Sequence, residues 1–452
     1  VLKYLRLVSE ETLMKSCSVN LAIPDMKLLE YLRSSGGVFH PRFHDLMDSR
    51  AVRMGNGQNS AVQSIHEEQS TIIHLTITGR CYAKCKGCIN SAVTLAVEQQ
   101  KNRLPAFQEC DPERDSSIIL DLTKSIDGNQ VTICFYGGEP FLAIEKMENV
   151  RKILTRSSSP KNFRYMVYTN GELIEEGLHS HAELMESIWL YSVSIDGDEE
   201  QHNRIRGGTQ LNRIIKNLEV LKNHKRGHVL FWSTLREEQS LFTCFEQFMR
   251  LHEAGLVDHF FWHWAETKEA FKDFAHYVRR YGEDLERIME SYVLNLSKGR
   301  LLPIAHINEL VLYLATGRER GHSACAVELA KNYDILDGKV FACADLPAPL
   351  GSRSSSDGGL KEDDLQSLVK YKDWLGCFEC GVHPYCGGRC PVQALAGSPE
   401  RTVQYCQLMR LHVGIVQERM QDIGRALDQT GTSLQAIYDG SAFLAKYTDV
   451  VP

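Results

Sequence analysis

From Thr71 onward, short apolar runs rich in β-branched and aromatic residues alternate with stretches in which apolar positions recur every three to four residues. The runs are Thr71–Thr78, Val131–Tyr136, Arg164–Thr169, Trp189–Ile195, His228–Thr234 and Asp258–Trp264. Between them, Ser117–Ile126, Ile144–Leu154, Leu178–Glu186, Leu211–Asn223 and Leu241–Ala254 carry the helical period. Strands alternating with helices at this spacing predict a parallel sheet of βαβ units. Six units make most of an eight-fold barrel, so the predicted fold class is α/β with a partial (β/α)6 TIM-type barrel. Its chemistry belongs at the C-terminal ends of the strands, and that constrains every motif. The last run, HFFWHW from His259 to Trp264, reads as a packed strand rather than a binding box.

The pattern differs on either side of this region. Residues 1–70 read as a separate N-terminal segment, with an amphipathic stretch from Asp25 to Arg33 and a Gly- and Asn-rich linker from Met54 to Ser60. The barrel spans 71–265. A helical linker follows over 266–316, clearest at Lys268–Tyr281 and Asp284–Ser297. Residues 317–430 are rich in Cys, Gly and Pro and end in a closing helix over 407–428, and 431–452 form a C-terminal tail. The insert GSRSSSDGG, Gly351 to Gly359, reads as a surface loop.

Composition adds exclusions. The 452 residues carry 51 Lys and Arg against 58 Asp and Glu, a net charge of −7 that offers no nucleic-acid surface. No apolar run reaches the length of a membrane span, so no membrane partner is expected. No signal-peptide pattern is read at the amino end, which predicts a cytoplasmic protein with reduced thiols. Ten of the 14 cysteines are clustered. In a reducing compartment they read as metal ligands before disulfides.

The first cluster, Cys81-Tyr-Ala-Lys-Cys85-Lys-Gly-Cys88, follows the first strand directly. Three thiolates can wrap one face of a metal centre, whereas a structural zinc site wants four protein ligands. Three ligands and a vacancy suit a cubane iron–sulfur cluster with one iron left open.

C-x3-C-x2-C after the first strand of a partial barrel resembles the radical S-adenosylmethionine (radical SAM) enzymes. The resemblance implies that the open iron binds the amino and carboxylate groups of SAM, and that cleavage of SAM gives a 5′-deoxyadenosyl radical. The family usually has a bulky residue before the third Cys, packed near the adenine. Here Gly87 stands there, which leaves Tyr82 as the expected adenine contact. Gly137-Gly138-Glu139-Pro140 ends the second strand. Its glycines permit close backbone approach to a ligand, and its carboxylate can accept from an ammonium group. The motif resembles the family's SAM-amino motif, with Glu139 at the methionine ammonium. Thr169-Asn170 and Ser194-Ile195-Asp196 end the next two strands, also in the family's manner. The resemblance places Ser194 at the SAM ribose or carboxylate and makes Arg206 a candidate for a SAM or substrate carboxylate.

Seven further cysteines lie near the carboxyl end: Cys325, Cys343, Cys377, Cys380, Cys386, Cys390 and Cys406. Their spacing resembles the SPASM extension of radical SAM enzymes that modify peptides and proteins. That likeness implies two auxiliary clusters, one on Cys377, Cys380, Cys386 and Cys406. The other would rest on Cys325, Cys343 and Cys390, with an open site able to hold a substrate thiolate. Asp345, two residues after Cys343, is a candidate proton acceptor, although a turn carboxylate is the simpler reading. Of the remaining cysteines, Cys134 and Cys244 read as small buried residues.

Together these patterns predict a radical SAM/SPASM maturase of a ribosomally made peptide, forming a cross-link or thioether. It would use three [4Fe-4S] clusters, SAM and a flavodoxin- or ferredoxin-type electron donor. Residues 1–70 would recognise a leader peptide. Two alternatives stand beside this: a dehydrogenase of a protein side chain or small molecule, as in sulfatase-maturing relatives, and a non-enzymatic zinc-binding interaction protein.

Overall fold

The structure is a computed structural model, and it describes residues 65–67, 70–88, 90, 109–329, 332–343, 345, 362–448 and 452. Nearly all of the segment 1–70, the whole insert 351–359 and Cys17 lie outside the described residues. The chain divides into two compact units. One comprises residues 68–267 and 330–361; the other comprises 1–67, 268–329 and 362–452.

The first unit is built on strands β1 (Thr71–Thr78), β3 (Gln130–Gly137), β4 (Asn162–Thr169), β5 (Ile188–Ser194), β7 (His228–Leu235) and β8 (His259–Trp264). Each is parallel to its neighbour in that order, as the sequence pattern predicts. The strands open on β-branched and aromatic runs whose two faces are both covered, so they read as nearly continuous apolar segments. Intervening helices are α1 (Pro112–Thr123), α2 (Ile144–Arg156), α3 (Ile174–Ser180), α4 (Ala182–Ser187), α5 (Glu199–Ile205), α6 (Leu211–Lys222) and α7 (Leu241–Glu253). Asp111 starts α1 by accepting from the amides of Glu113 and Arg114, five residues earlier than periodicity alone indicates. The helix expected over 178–186 is two, α3 and α4, broken where His181 leaves helical geometry.

Among the described residues the sheet has eight strands; with β9 (Asn332–Leu336) and β10 (Lys339–Phe341) the order is β10-β9-β1-β3-β4-β5-β7-β8. Strands β9 and β10 form a hairpin on the outer edge of β1. Asp337 and Gly338 turn it, both at positive φ (50° and 71°), the conformation that a two-residue Asp-Gly loop favours. A further two-residue ladder pairs β2 (Lys84–Cys85) with β6 (Arg206–Gly207).

Alternation along β7 and β8 separates two faces. Phe231 and Phe260 meet Phe245 and Phe248 of α7, so this face packs on helices. Trp232 instead meets Phe261, His263 and Tyr168. Tyr168 continues to Tyr136, and Tyr136 to His74. The HFFWHW run is therefore wholly buried, with one set of side chains in the helix layer and the other in an aromatic row on the opposite face.

The second unit is helical: α8 (Phe274–Leu296), α9 (Ala305–Thr316), then α10 (Tyr371–Trp374), α11 (His383–Cys386), α12 (Pro391–Ala396), α13 (Pro399–Glu418), α14 (Met420–Thr430) and α15 (Leu434–Gly440). One continuous helix capped by Asp273 replaces the two expected over 268–297. The closing helix is two, α13 and α14, hinged at Arg419. Among the described residues, no helix is long and apolar enough to cross a membrane.

Candidate active site

Strands β1, β3, β4, β5 and β7 run parallel, so the segments after Thr78, Gly137, Thr169, Ser194 and Leu235 leave the sheet at one end. The first cysteine loop leaves from β1. The backbone of the β3 exit passes beneath it: Gly138 donates to the Thr78 carbonyl (2.8 Å) and Glu139 to the Arg80 carbonyl (2.9 Å). A Cβ at Gly137 would lie 2.4 Å from the Thr78 oxygen, and one at Gly138 2.2 Å from the Arg80 oxygen. The sequence reading assigned these glycines to a ligand's close approach. In the structure they make room for the backbone that begins the cysteine loop.

Glu139 is fully buried. Its carboxylate accepts from Thr169 Oγ1 (2.8 Å) and from the amides of Asn170 (2.8 Å) and Phe141 (3.2 Å). Burial pushes its pKa up to about 7, against the lowering effect of those donors. Pro140, also buried, opens the 3-10 turn that Glu139 caps. Asn170 extends the network: its Oδ1 accepts from the Tyr82 hydroxyl (2.9 Å) and the Glu172 amide (3.0 Å). Its buried Nδ2 has no hydrogen-bond partner among the described residues. A donor is thus left unused beside Tyr82 and Glu139, as a site for a polar ligand requires. Tyr82 remains partly exposed at 37% and ties the cysteine loop to the end of β4.

Beyond β5, Asp196 is fully buried. Arg206 grips it with two hydrogen bonds (2.8 and 3.2 Å), Arg236 Nη1 reaches it at 2.7 Å, and the Thr234 amide donates at 2.9 Å. Desolvation opposes ionisation, but the two guanidiniums hold the Asp196 pKa down at about 2. Arg206, a candidate for a SAM or substrate carboxylate, and Asp196, expected among the SAM-binding residues, are thus first partners of each other. Ser194 ends β5 in register with Trp232.

The thiols of the loop stand in one another's field. Burial raises Cys81 to about 12, with Glu139, Cys85 and Cys88 adding to the effect. Burial likewise raises Cys88 to about 11, and Cys85 adds to it, while Arg206 and Arg236 pull it down. Among the described residues, no three His, Cys, Asp or Glu side chains gather tightly enough for a single metal ion. The donor set here is three soft thiols flanked by buried cations, which fits a polynuclear cluster bearing net negative charge.

In the helical unit, Cys377, Cys380, Cys386 and Cys406 form a second group. Burial raises Cys406 to about 12, Cys386 and Cys380 add to it, and Arg410 and Arg389 oppose it. Cys377 is raised first by burial and then by Cys406, Cys386 and Cys380. The four cysteines that the SPASM likeness implies for one cluster thus lie within one another's electrostatic field. Tyr371 feels both Cys390 and Cys377, so Cys390 adjoins this group. Cys325 and Cys390 belong to the helical unit and Cys343 to the sheet unit. None of the described cysteines is in a disulfide. Cys134 and Cys244 are buried, as expected.

Asp345 is open to solvent, yet protein hems in its carboxyl. Desolvation, then Asp334 and Glu266, raise its pKa to about 7, and water access tempers that effect. Half-buried Tyr136 lies within the field of Asp345, Asp334 and Cys88. Arg236 and Tyr136 were missed in the sequence. Both could have been found by applying the strand-end rule to β7 and to the last residues of β3.

Comparison with known proteins bears on this arrangement. Residues 75–238 match the Radical SAM superfamily. This stretch of the chain is a radical SAM domain. The radical SAM cyclopropyl synthase TigE of Paramaledivibacter caminithermalis is 22% identical over 370 residues, covering 74% of this chain and 73% of TigE. Among solved structures, anSMEcpe with bound AdoMet superposes with a TM-score of 0.60 at 16% identity, over 82% of this chain and 99% of that one. The same protein with bound AdoMet and Cp18Cys peptide gives 0.58 at 16% identity, over 80% and 99%. At such identities the likeness establishes the fold. It also extends past the radical SAM domain into the helical unit.

Proposed function

We propose that this chain is a radical SAM enzyme that modifies a ribosomally made peptide, closing a new bond within it as a cross-link or thioether. The observation that carries the proposal is the order of the site. Three thiols leave β1, Glu139 leaves β3, Asn170 leaves β4 and Asp196 leaves β5, all at one end of one parallel sheet.

Cys81, Cys85 and Cys88 would hold a [4Fe-4S] cluster, and Glu139, Asn170 and Tyr82 would receive SAM. When bound, this pair supplies one-electron cleavage of SAM and, from it, a 5′-deoxyadenosyl radical able to take a hydrogen atom from an unactivated C–H bond. The residues do the rest. Glu139, its carboxylate fixed by three donors, accepts from the methionine ammonium. Asn170 Nδ2 donates to the nucleoside or carboxylate side. Tyr82 covers the adenine. The aromatic row from His74 to His263 keeps the adjoining face of the sheet dry.

Cys377, Cys380, Cys386 and Cys406 would hold one auxiliary cluster in a SPASM domain, and Cys325, Cys343 and Cys390 a second with an open iron. When bound, the auxiliary clusters would supply a place for a substrate thiolate or for the electron that the substrate gives up. A flavodoxin- or ferredoxin-type protein would supply reducing electrons. The peptide reading draws support from the peptide-bound anSMEcpe structure, and the closing of a new bond from the relative named a cyclopropyl synthase. Ring closure, thioether formation and dehydrogenation all remove two hydrogens, so mass alone does not part them. Fragmentation does: a cross-link resists cleavage between the joined residues.

The test is anaerobic reconstitution with iron and sulfide, followed by dithionite, SAM and a candidate peptide. The proposal expects on the order of twelve irons per chain from three cubanes, release of 5′-deoxyadenosine, and a peptide lighter by two hydrogens that resists fragmentation. A colourless protein that retains zinc would favour the interaction-protein reading instead.

A further inference from the structure

The cysteine loop is held from behind by a group that the strand-end motifs do not include. Arg236 lies just past β7 and is buried. Its Nη2 donates to the Gly87 carbonyl (3.1 Å), and its Nη1 donates to Asp196 (2.7 Å). Gln239 fixes the Arg236 backbone by accepting from its amide (2.9 Å). One side chain thus bridges the cysteine loop, the exit of β5 and the exit of β7. Gly87, the residue before Cys88, sits at φ +59°, a conformation that favours glycine. Two neighbouring contacts secure the same loop: the Lys86 amide donates to the Ile205 carbonyl (2.9 Å), and β2 pairs with β6.

The charge balance points the same way. Asp196 carries one negative charge, while Arg206 and Arg236 carry two positive ones, and all three groups are buried. A surplus cation without a counter-charge is expensive in such surroundings. Glu238 also feels Arg236, but it is already paired with Lys86 (2.5 Å); Cys85 and Cys88 also lie in the field of the two arginines.

We propose that Arg236 is a positioning residue for the cluster loop, whose guanidinium fixes the Gly87 carbonyl and places its charge against the cluster held by Cys81, Cys85 and Cys88. This rests on the assignment of those cysteines to a cluster. A fixed cation beside a cluster favours its reduced, more negative state, so Arg236 raises the midpoint potential at which the electron is accepted. The side-chain contacts of Arg236 are with Asp196, Gln239 and the Thr234 and Gly87 carbonyls, so its role is to position the loop.

The experiment uses the full-length chain, reconstituted anaerobically, as wild type, Arg236→Lys and Arg236→Gln. Iron content and thermal melting are recorded for each. The readout is a redox titration of the electron paramagnetic resonance signal that changes on addition of SAM, because only the cluster at Cys81, Cys85 and Cys88 is assigned SAM. The proposal expects Arg236→Gln to bind iron but titrate at a more negative potential than wild type. Arg236→Lys keeps the charge and loses the fork, so its potential stays close to wild type while its SAM-bound signal broadens. Potentials that are equal in all three, with full iron loading, would overturn the inference and leave the cluster assignment intact. A wild-type chain whose signals ignore SAM would overturn the cluster assignment and the inference with it.

Discussion

Burial at the strand ends sets how each polar side chain ionises, and Glu139 shows the consequence. Folding raises its pKa from 4.5 to about 7. The stability contributed by the neutral acid is therefore complete below pH 4.5 and falls away as the pH rises towards 7, by about 3 kcal/mol in all. Glu139→Gln should lose that slope, so the difference in melting temperature between SAM-free wild type and variant should change across this window. A parallel pair of curves would contradict the burial argument. If Glu139 meets the methionine ammonium as proposed, SAM would reverse the preference, because the ammonium favours the ionised carboxylate. Calorimetry should show SAM binding to wild type weakening as the pH drops below 7, and roughly tenfold or more weaker binding to Glu139→Gln. Asp196 makes the opposite case. Held at about 2 by Arg206 and Arg236, it is ionised at every ordinary pH. Asp196→Asn leaves two buried guanidiniums facing each other and should cost about 3–5 kcal/mol, read as a large fall in melting temperature. An unchanged melt would make Asp196 a ligand contact only.

Elements matter here through where they end. Six strands were legible because alternating apolar runs and helical periods agree over some two hundred residues. Their ends were legible because motifs with Gly, Glu, Asn and Asp fall there in order. The β9–β10 hairpin was not read, although Asp337-Gly338 carries the turn signal, because Cys, Gly and Pro dominate that region. Nor was the work of Gly137 and Gly138, since which backbone passes overhead is a tertiary fact. It yields a prediction: Gly138→Ala puts a Cβ 2.2 Å from the Arg80 oxygen and must displace the start of the cysteine loop. The variant should lose about four of the roughly twelve irons and the SAM-responsive signal, while keeping helical circular dichroism. Full iron content would refute this account of the two glycines. The strand-end rule applied to β7 would point to Arg236, but not to what it holds. Its partner Gly87 is 149 residues away, and no local period joins them.

At the scale of the molecule, two groups of thiols belong to two compact units, so their tasks should be separable. Cys377→Ala with Cys386→Ala removes two members of the helical unit's group. It should cost that group's iron and abolish peptide modification, yet leave SAM cleavage without peptide within a few-fold of wild type. Simultaneous loss of SAM cleavage would contradict the separation. The SPASM likeness of the cysteine spacing implies that these four residues belong to one centre, whose thiolates must converge wherever the chain goes between them. It could not show Arg389 and Arg410 beside them, for charges that balance a centre are chosen by packing and not by period.

The most direct measurement is the nucleoside released when anaerobically reconstituted, iron-loaded protein is reduced in the presence of SAM. Wild type should give 5′-deoxyadenosine and methionine in equal amounts, and Cys81→Ala/Cys85→Ala/Cys88→Ala should give neither while still holding iron at Cys377, Cys380, Cys386 and Cys406. A fully loaded wild-type chain that leaves SAM intact, or a triple variant that still cleaves it, would contradict the account.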